Sequence, residues 1–487
     1  MPGVTISTAV RTGAVNTGTA PAATFFVVGQ TERGTDQKAV LVTSLEDYED
    51  KFGGHVAGHF TYYTLRTFFE EGGVRAYVAK ATATAAVRAS KALLAPSSAA
   101  GITLTAVGKG TWGNSLAVAV TNNSTNFDMS VSYGGTEIFA ATGLTSLSEA
   151  LTSINFSSAA APYFTAALTA AADSTALLVT AASAAFTSGT NGSIAKSDFQ
   201  SALSLFTSDL GAGAVSIPGV ATGSSDATFY DAIRTHAHDN NRIALLSFSS
   251  SATLAQARTA STNYTGTEYH EYVAFYHPYI EIPVGAATVS IPPDGFVAAV
   301  RSRTHNDAGP WKAYAGVASE ARFVSGLSLS VSRSDADAME ADRVNPLRLA
   351  NGRVRVYGAR SHSTITAQWR FINARDVINY IIVEAEKELD ELVFSTIDGR
   401  SVVFANIINA LQGVLEPVRI AGGFYEGFDA LGKRIDYGYT IKCDASINSA
   451  AQLETGLVKA RVGVRVSSIG DKINVDIIKS NLTTALE

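Results

Sequence analysis

The alternation of apolar and polar positions changes character several times along the chain, and each change predicts an element. Val4, Ile6 and Val10 alternate with polar neighbours in a Thr/Gly/Ala-rich leader over 1–22, the period-two pattern of an extended strand. Its apolar content is too small to nucleate a core. Phe25 to Val28, closed by Gly29, reads as a short buried strand, and Ser44 three residues before Asp47 marks a helix start. Tyr62, Leu65, Phe68 and Phe69 recur at helical spacing up to Gly72-Gly73, and a strand is predicted over Arg75–Ala79.

From about Gly101 to Thr187 the pattern becomes short alternating runs in an Ala/Ser/Thr/Gly background, among them Leu116–Val120 and Met129–Tyr133, with Gly134-Gly135 as a hairpin turn. Strand and helix then alternate. A helix carrying Phe229, Ile233 and Ala237 on one face precedes the apolar run Ile243–Leu246, and Tyr272–Tyr276 is a further strand. This alternation predicts an open α/β sheet with helices on its faces. In the last stretch Val377, Ile378, Ile381, Ile382, Ala385, Leu389 and Leu392 define a long amphipathic helix with Glu384, Lys387, Glu388 and Glu391 on its other faces. Two half-buried strands follow: Val462, Val464 and Val466 alternate with Arg461, Gly463 and Arg465, and Ile473, Val475 and Ile477 with Asn474 and Asp476.

The fold class expected is therefore multi-domain α/β. Its parts are an extended N-terminal arm over 1–22, the first part of the α/β region over 23–105, an inserted all-β domain over 106–195, a central α/β domain over 196–345, and a C-terminal α/β domain with terminal strands over 346–487. A hydrophobic share of 46% against 16% charged residues supports several buried cores in 487 residues.

A formal net charge of −6 argues against phosphate-backbone binding, so nucleic acid is not an expected partner. Cys443 is the single cysteine and has no intrachain partner for a disulfide. Neither a charged segment followed by an apolar one at the start nor an apolar window long enough for a membrane span is read from the sequence. The strongest catalytic candidate is Thr235-His236-Ala237-His238-Asp239, with His270 and His277 further on. On a helix, however, His236 and His238 point about 200° apart, which is poor geometry for one metal ion. Neither a phosphate-cradling Walker loop nor a Gly-Thr-Ser nucleophile segment is found. No catalytic residue, cofactor or metal is expected. Arg353, Arg355 and Arg360 are candidate contacts for a partner.

Several segments, in order and spacing, resemble the phage tail sheath proteins. Val28–Gly34, Leu41–Gly54 and Phe68–Val78 look like that family's opening, and Gly110–Leu116 like its turn into a β insertion. Ile291–Ala298 and Gly309–Ala313 resemble its central domain; Val344–Arg348, Tyr357–Arg360 and Trp369–Arg375 resemble its C-terminal domain. Only roughly 120–200 falls outside the likeness.

The resemblance implies a subtilisin-like central domain, an outward-facing β-sandwich insertion and a C-terminal lattice domain. It implies hexameric rings stacked around an inner tube protein, contact with baseplate and tail terminator proteins, and a location in the virion tail after assembly in the host bacterial cytoplasm. Contraction would run from a metastable extended state without nucleotide hydrolysis. Arms from the chain ends would add strands to neighbouring subunits, so Val4, Ile6, Val10, Val462, Val464, Val466, Ile473, Val475 and Ile477 are the expected strand-exchange residues. The sheath of a phage-derived contractile injection system is the nearest alternative. A metal-dependent hydrolase and a receptor-binding or capsid-decoration protein are readings of other classes.

Overall fold

The computed structural model describes residues 23–96, 100–170, 172–220, 227–264 and 268–471. At its centre is an eight-stranded sheet in the order Arg353–Val356, Val344–Ala350, Val273–His277, Arg242–Ser247, Gly213–Ser216, Thr24–Gly29, Ala76–Lys80, Ala39–Val42. The inner strands are all parallel, and both edge strands run antiparallel. Because helices cover both faces, the inner strands are continuous apolar runs: all of Thr24–Gly29 and Arg242–Ser247 is buried.

Alternate side chains feed two separate cores. Phe25 and Val27 pack with the helices Leu45–Phe52, Thr61–Glu70 and Asp294–Ala308. Phe26 and Val28 pack with Lys196–Leu203, Ala227–Asp239, Leu254–Asn263 and Arg333–Ala341. The expected helix start at Ser44 is present, its hydroxyl accepting from the Asp47 backbone N–H at 3.0 Å. Phe229, Ile233 and Ala237 are all buried on one face of their helix.

Charge is also buried in this body, and there it is paired. The Glu71 carboxylate accepts from the backbone N–H groups of Arg322, Phe323 and Val324 at 2.7–3.0 Å and from Arg303 Nη1 at 3.0 Å. It thereby ties the end of one helix to a distant loop. Arg301 holds Asp376, its Nε 3.1 Å from Oδ1, which joins the helix Asp294–Ala308 to the later helix Ile372–Asp390. Burial pushes the Asp376 carboxyl upward against the pull of Arg301.

The inserted unit consists of two antiparallel sheets, one of four strands and one of three, around a single core with the helix Leu147–Asn155. Gly134 and Gly135, at φ 57° and 88°, make the predicted two-residue turn between Phe127–Tyr133 and Thr136–Leu144. The boundary expected at 106 is corrected. Ala106 ends the strand Ala100–Ala106, which lies between Ser90–Leu94 and Phe164–Leu168, and Ala89, Leu93, Ile102 and Leu104 share the core. The unit therefore begins near residue 89. It is fastened to the body by Tyr133 Oη donating to Glu32 at 2.7 Å, by the Lys109 N–H donating to Asp36 at 2.6 Å, and by the Arg33 guanidinium 4.3 Å over the Tyr163 ring.

The boundary expected at 346 is corrected as well. Pro346 lies inside Val344–Ala350, which pairs in parallel with Val273–His277, and Ile372 still packs into the body's core. The C-terminal unit proper begins within the helix Ile372–Asp390.

Candidate assembly surfaces

Two long helices, Ile372–Asp390 and Val402–Ile420, form the base of the C-terminal unit. They run antiparallel: Val377 and Ile381 meet Leu415 and Val418 at one end, while Ala385 and Leu389 meet Val403, Phe404 and Ile407 at the other. The second helix was not expected from the sequence. Its buried stripe, Val403, Ile407, Leu411, Val414, Leu415 and Val418, has clear helical spacing, but Pro417 lies inside it.

On this base rests a sheet of only two strands, Tyr439–Lys442 and Arg461–Val464, antiparallel in the register Tyr439↔Val464 to Lys442↔Arg461. Val462, Val464 and Val466 turn half-buried side chains toward the helices, as the alternation predicted, and Tyr439 and Ile441 on the partner strand do the same. The backbone follows the same alternation. Arg465 and Ser467 donate to Gly438 and Gly423 at 2.7 and 2.9 Å, and Arg465 accepts from Tyr425 at 2.8 Å. Successive residues of a strand point their N–H and C=O groups to opposite sides. Val462, Val464 and Val466 therefore direct theirs to the other edge, where no strand pairs with them among the described residues. Beside this stretch lies a cavity of about 390 Å³ lined by Trp369, Phe371, Ile378, Val464 and Val466. Asp471, 2.8 Å from Arg370, fixes the chain where the described part ends.

No protein-family model matches this sequence, and no curated protein matches it. Solved structures do. The sheath tail protein of Listeria innocua superposes with a TM-score of 0.62 at 14% identity, over 87% of this chain and 89% of the other. The helical sheath of the anti-feeding prophage in its contracted state gives 0.55 at 16%, over 95% and 94%. The contracted PVC sheath complex of an extracellular contractile injection system gives 0.55 at 15%, over 99% and 98%.

The chain has the contractile tail sheath fold.

Within this sheath fold the expected strand-exchange residues separate into two groups. Val462 and Val464 lie in the strand Arg461–Val464 and Val466 lies just beyond it in an isolated bridge to Phe424, along an edge left open among the described residues, whereas Val4, Ile6, Val10, Ile473, Val475 and Ile477 lie outside the described residues. The histidines do not converge. His236 Nε2 is 3.0 Å from Arg242 Nη1 in a part-buried setting, while His238 bonds Asp239 at 2.7 Å and stacks on Tyr269. Burial lowers the His236 imidazole to about 3. His277 is buried elsewhere, beside Phe248, and burial lowers it to about 4. His270 instead joins His362 and Tyr230, the two Nδ1 atoms lying 2.9 and 2.8 Å from the phenol oxygen. Burial lowers His270 to about 4 and His362 to about 3. Sequence reading did not single out His362 or Tyr230.

Ser216 Oγ donates directly to Asp294 at 2.6 Å, leaving no place between them for the imidazole that a serine triad requires. Burial raises this carboxyl to about 6. The three candidate partner-binding arginines are engaged within the sheath fold itself: Arg353 and Arg355 pair with Glu320 at 3.2 and 2.8 Å, and Arg360 with Glu340 at 3.5 Å.

Proposed function

We propose that this protein is the structural subunit of a contractile tail sheath, polymerising as stacked hexameric rings around an inner tube and contracting from a metastable extended lattice. The central sheet is then the domain that the resemblance describes as subtilisin-like, and the inserted pair of sheets is the outward-facing sandwich. The observation that carries the reading is the C-terminal sheet, which among the described residues has two strands, an edge left open along Val462, Val464 and Val466, and an apolar groove alongside. An isolated two-stranded sheet is marginal in water and its open edge invites another strand. A segment such as Val4–Val10 of a neighbour has the period-two apolar pattern to supply one, gaining backbone hydrogen bonds along the edge and placing alternate side chains in the groove.

Likeness to the tail sheath of a bacterial protein and to sheaths of contractile injection systems supports both settings of the same machine, a phage tail and a phage-derived injector. In either setting the partners are further copies of this chain, the inner tube, the baseplate and the terminator, in a tail particle assembled in the bacterial cytoplasm. Negative-stain electron microscopy of the purified protein, alone and with residues 1–20 deleted, tests the reading. Ring stacks or tubes from the full chain and their absence from a deletion with a near-normal thermal melt are expected. A full chain that stays monomeric at high concentration would refute it.

A further inference from the structure

The two-stranded sheet has an outer face as well as an open edge. Thr440, Lys442, Arg461 and Gly463 are exposed on that face, and Lys459, also exposed, lies two residues before the strand Arg461–Val464 begins. Lys442 and Arg461 are direct cross-strand partners, so two like charges are held opposite each other, an arrangement that destabilises the isolated sheet. Neither these two nor Lys459 forms an ion pair among the described residues; Asp444 is the carboxylate on which Lys442 acts. Leu457, beside Lys459, is exposed.

The opposite charge is gathered at the C-terminal end of the helix Ile372–Asp390. Glu384 and Glu388, and Glu386 and Asp390, are like-charged pairs one helical turn apart, and Glu391 follows; only Lys387 offsets them, 4.0 Å from Glu384. Carboxylates at this end also oppose the helix dipole. Beyond them Phe394 is wholly exposed. A fully exposed phenylalanine next to carboxylates fits a protein surface with both apolar and cationic groups better than it fits a small cation.

These two unfavourable arrangements are of opposite sign, and the chain does not let them meet. The sheet's inner face lies on the helices, so its outer face points away from the acidic helix end. A second copy can bring them together.

We propose that the basic outer face formed by Lys442, Lys459 and Arg461 docks on the acidic helix end, Glu386 to Glu391, of a second copy of this chain. The contact joins two different patches, so it propagates head to tail and closes as a ring or continues as a helix. It rests on the reading of the chain as a sheath subunit, and it is separate from strand addition, which uses the edge of the same sheet.

The test uses two full-length variants, Lys459→Glu with Arg461→Glu, and Glu386→Lys with Asp390→Lys. The first turns the opposed pair into Lys442 facing a carboxylate, so its monomer should melt no lower than the unsubstituted protein. Each variant alone should lose at least tenfold in the fraction sedimenting as tubes. An equal mixture should recover most of it, because every contact between the two variants is again complementary. Normal assembly by either variant alone, or a mixture no better than its components, would overturn this docking while leaving the sheath reading in place. Failure of the unsubstituted protein to assemble would fall on the sheath reading instead.

Discussion

The central body and the C-terminal unit answer the same problem, how to satisfy polar groups, in opposite ways. In the body, Glu71 has four sets of partners and the sheet's edge strands close a buried array. In the C-terminal unit the sheet has two strands among the described residues, and Tyr425, Phe428, Leu431 and Ile435 are exposed on the neighbouring loop and hairpin. A chain selected only to fold as a monomer has no use for the second solution. On the proposed sheath reading, the body carries the fold and the C-terminal unit carries the assembly.

The largest expected effect that would break this division is on assembly. Val464→Pro removes an N–H directed away from the partner strand, so thermal melting should shift little while tubes disappear from electron micrographs; unchanged tubes would contradict the edge role. Next comes the body. Glu71→Ala strips a buried carboxylate from Arg303 and three backbone donors and should cost about 3–5 kcal/mol, measured by chemical denaturation. A loss below about 1 kcal/mol would show that the loop does not depend on it.

Acid should act more mildly, and on the body. His236, His270, His277 and His362 have folded values of about 3 to 4, below their ordinary 6.5. The stability they contribute is present above pH 6.5 and is lost as pH falls toward those values. Asp294, raised from 3.8 to about 6, acts in the opposite sense, its contribution being lost as pH rises through 6. The four histidines outnumber the two carboxyls that burial raises, Asp294 and Asp376, so the melting temperature should decline from pH 6.5 to pH 4, and a His270→Gln, His362→Gln double variant should flatten that decline in a fluorescence melt. The smallest effect belongs to the insertion. Replacing 88–189 with a short glycine linker should leave tubes intact, because its core is shared with neither the body nor the C-terminal unit. Folded excised protein that forms no tubes would assign the insertion a part in the lattice.

What was legible in the sequence follows from these physical differences. Strands such as Thr24–Gly29 are buried on both faces and announce themselves as apolar runs. The helix Asp294–Ala308 went unread because Arg301, Arg303 and His305 occupy its buried surface and erase the amphipathic period; their partners, Asp376 and Glu71, are remote in sequence. Ser90–Leu94 was left out of the insertion because its membership depends on a sheet completed by Phe164–Leu168, some seventy residues later. At the candidate site, the side-chain alternation of Val462, Val464 and Val466 was readable. The direction of their open edge was not, since it is set by where Gly438 and Gly423 come to lie. The charge opposition of Lys442 and Arg461 depends on register in the same way.

The junction of insertion and body has a practical side. Val87 and Thr190 exchange reciprocal backbone hydrogen bonds of 3.1 Å, so the chain leaves the body and returns to it at neighbouring points. Such a doorway is indifferent to what is spliced through it, provided the guest's own ends lie close together. Used as a graft site, it would repeat a foreign domain once per subunit along the whole polymer, turning the particle into a periodic scaffold for enzymes or antigens.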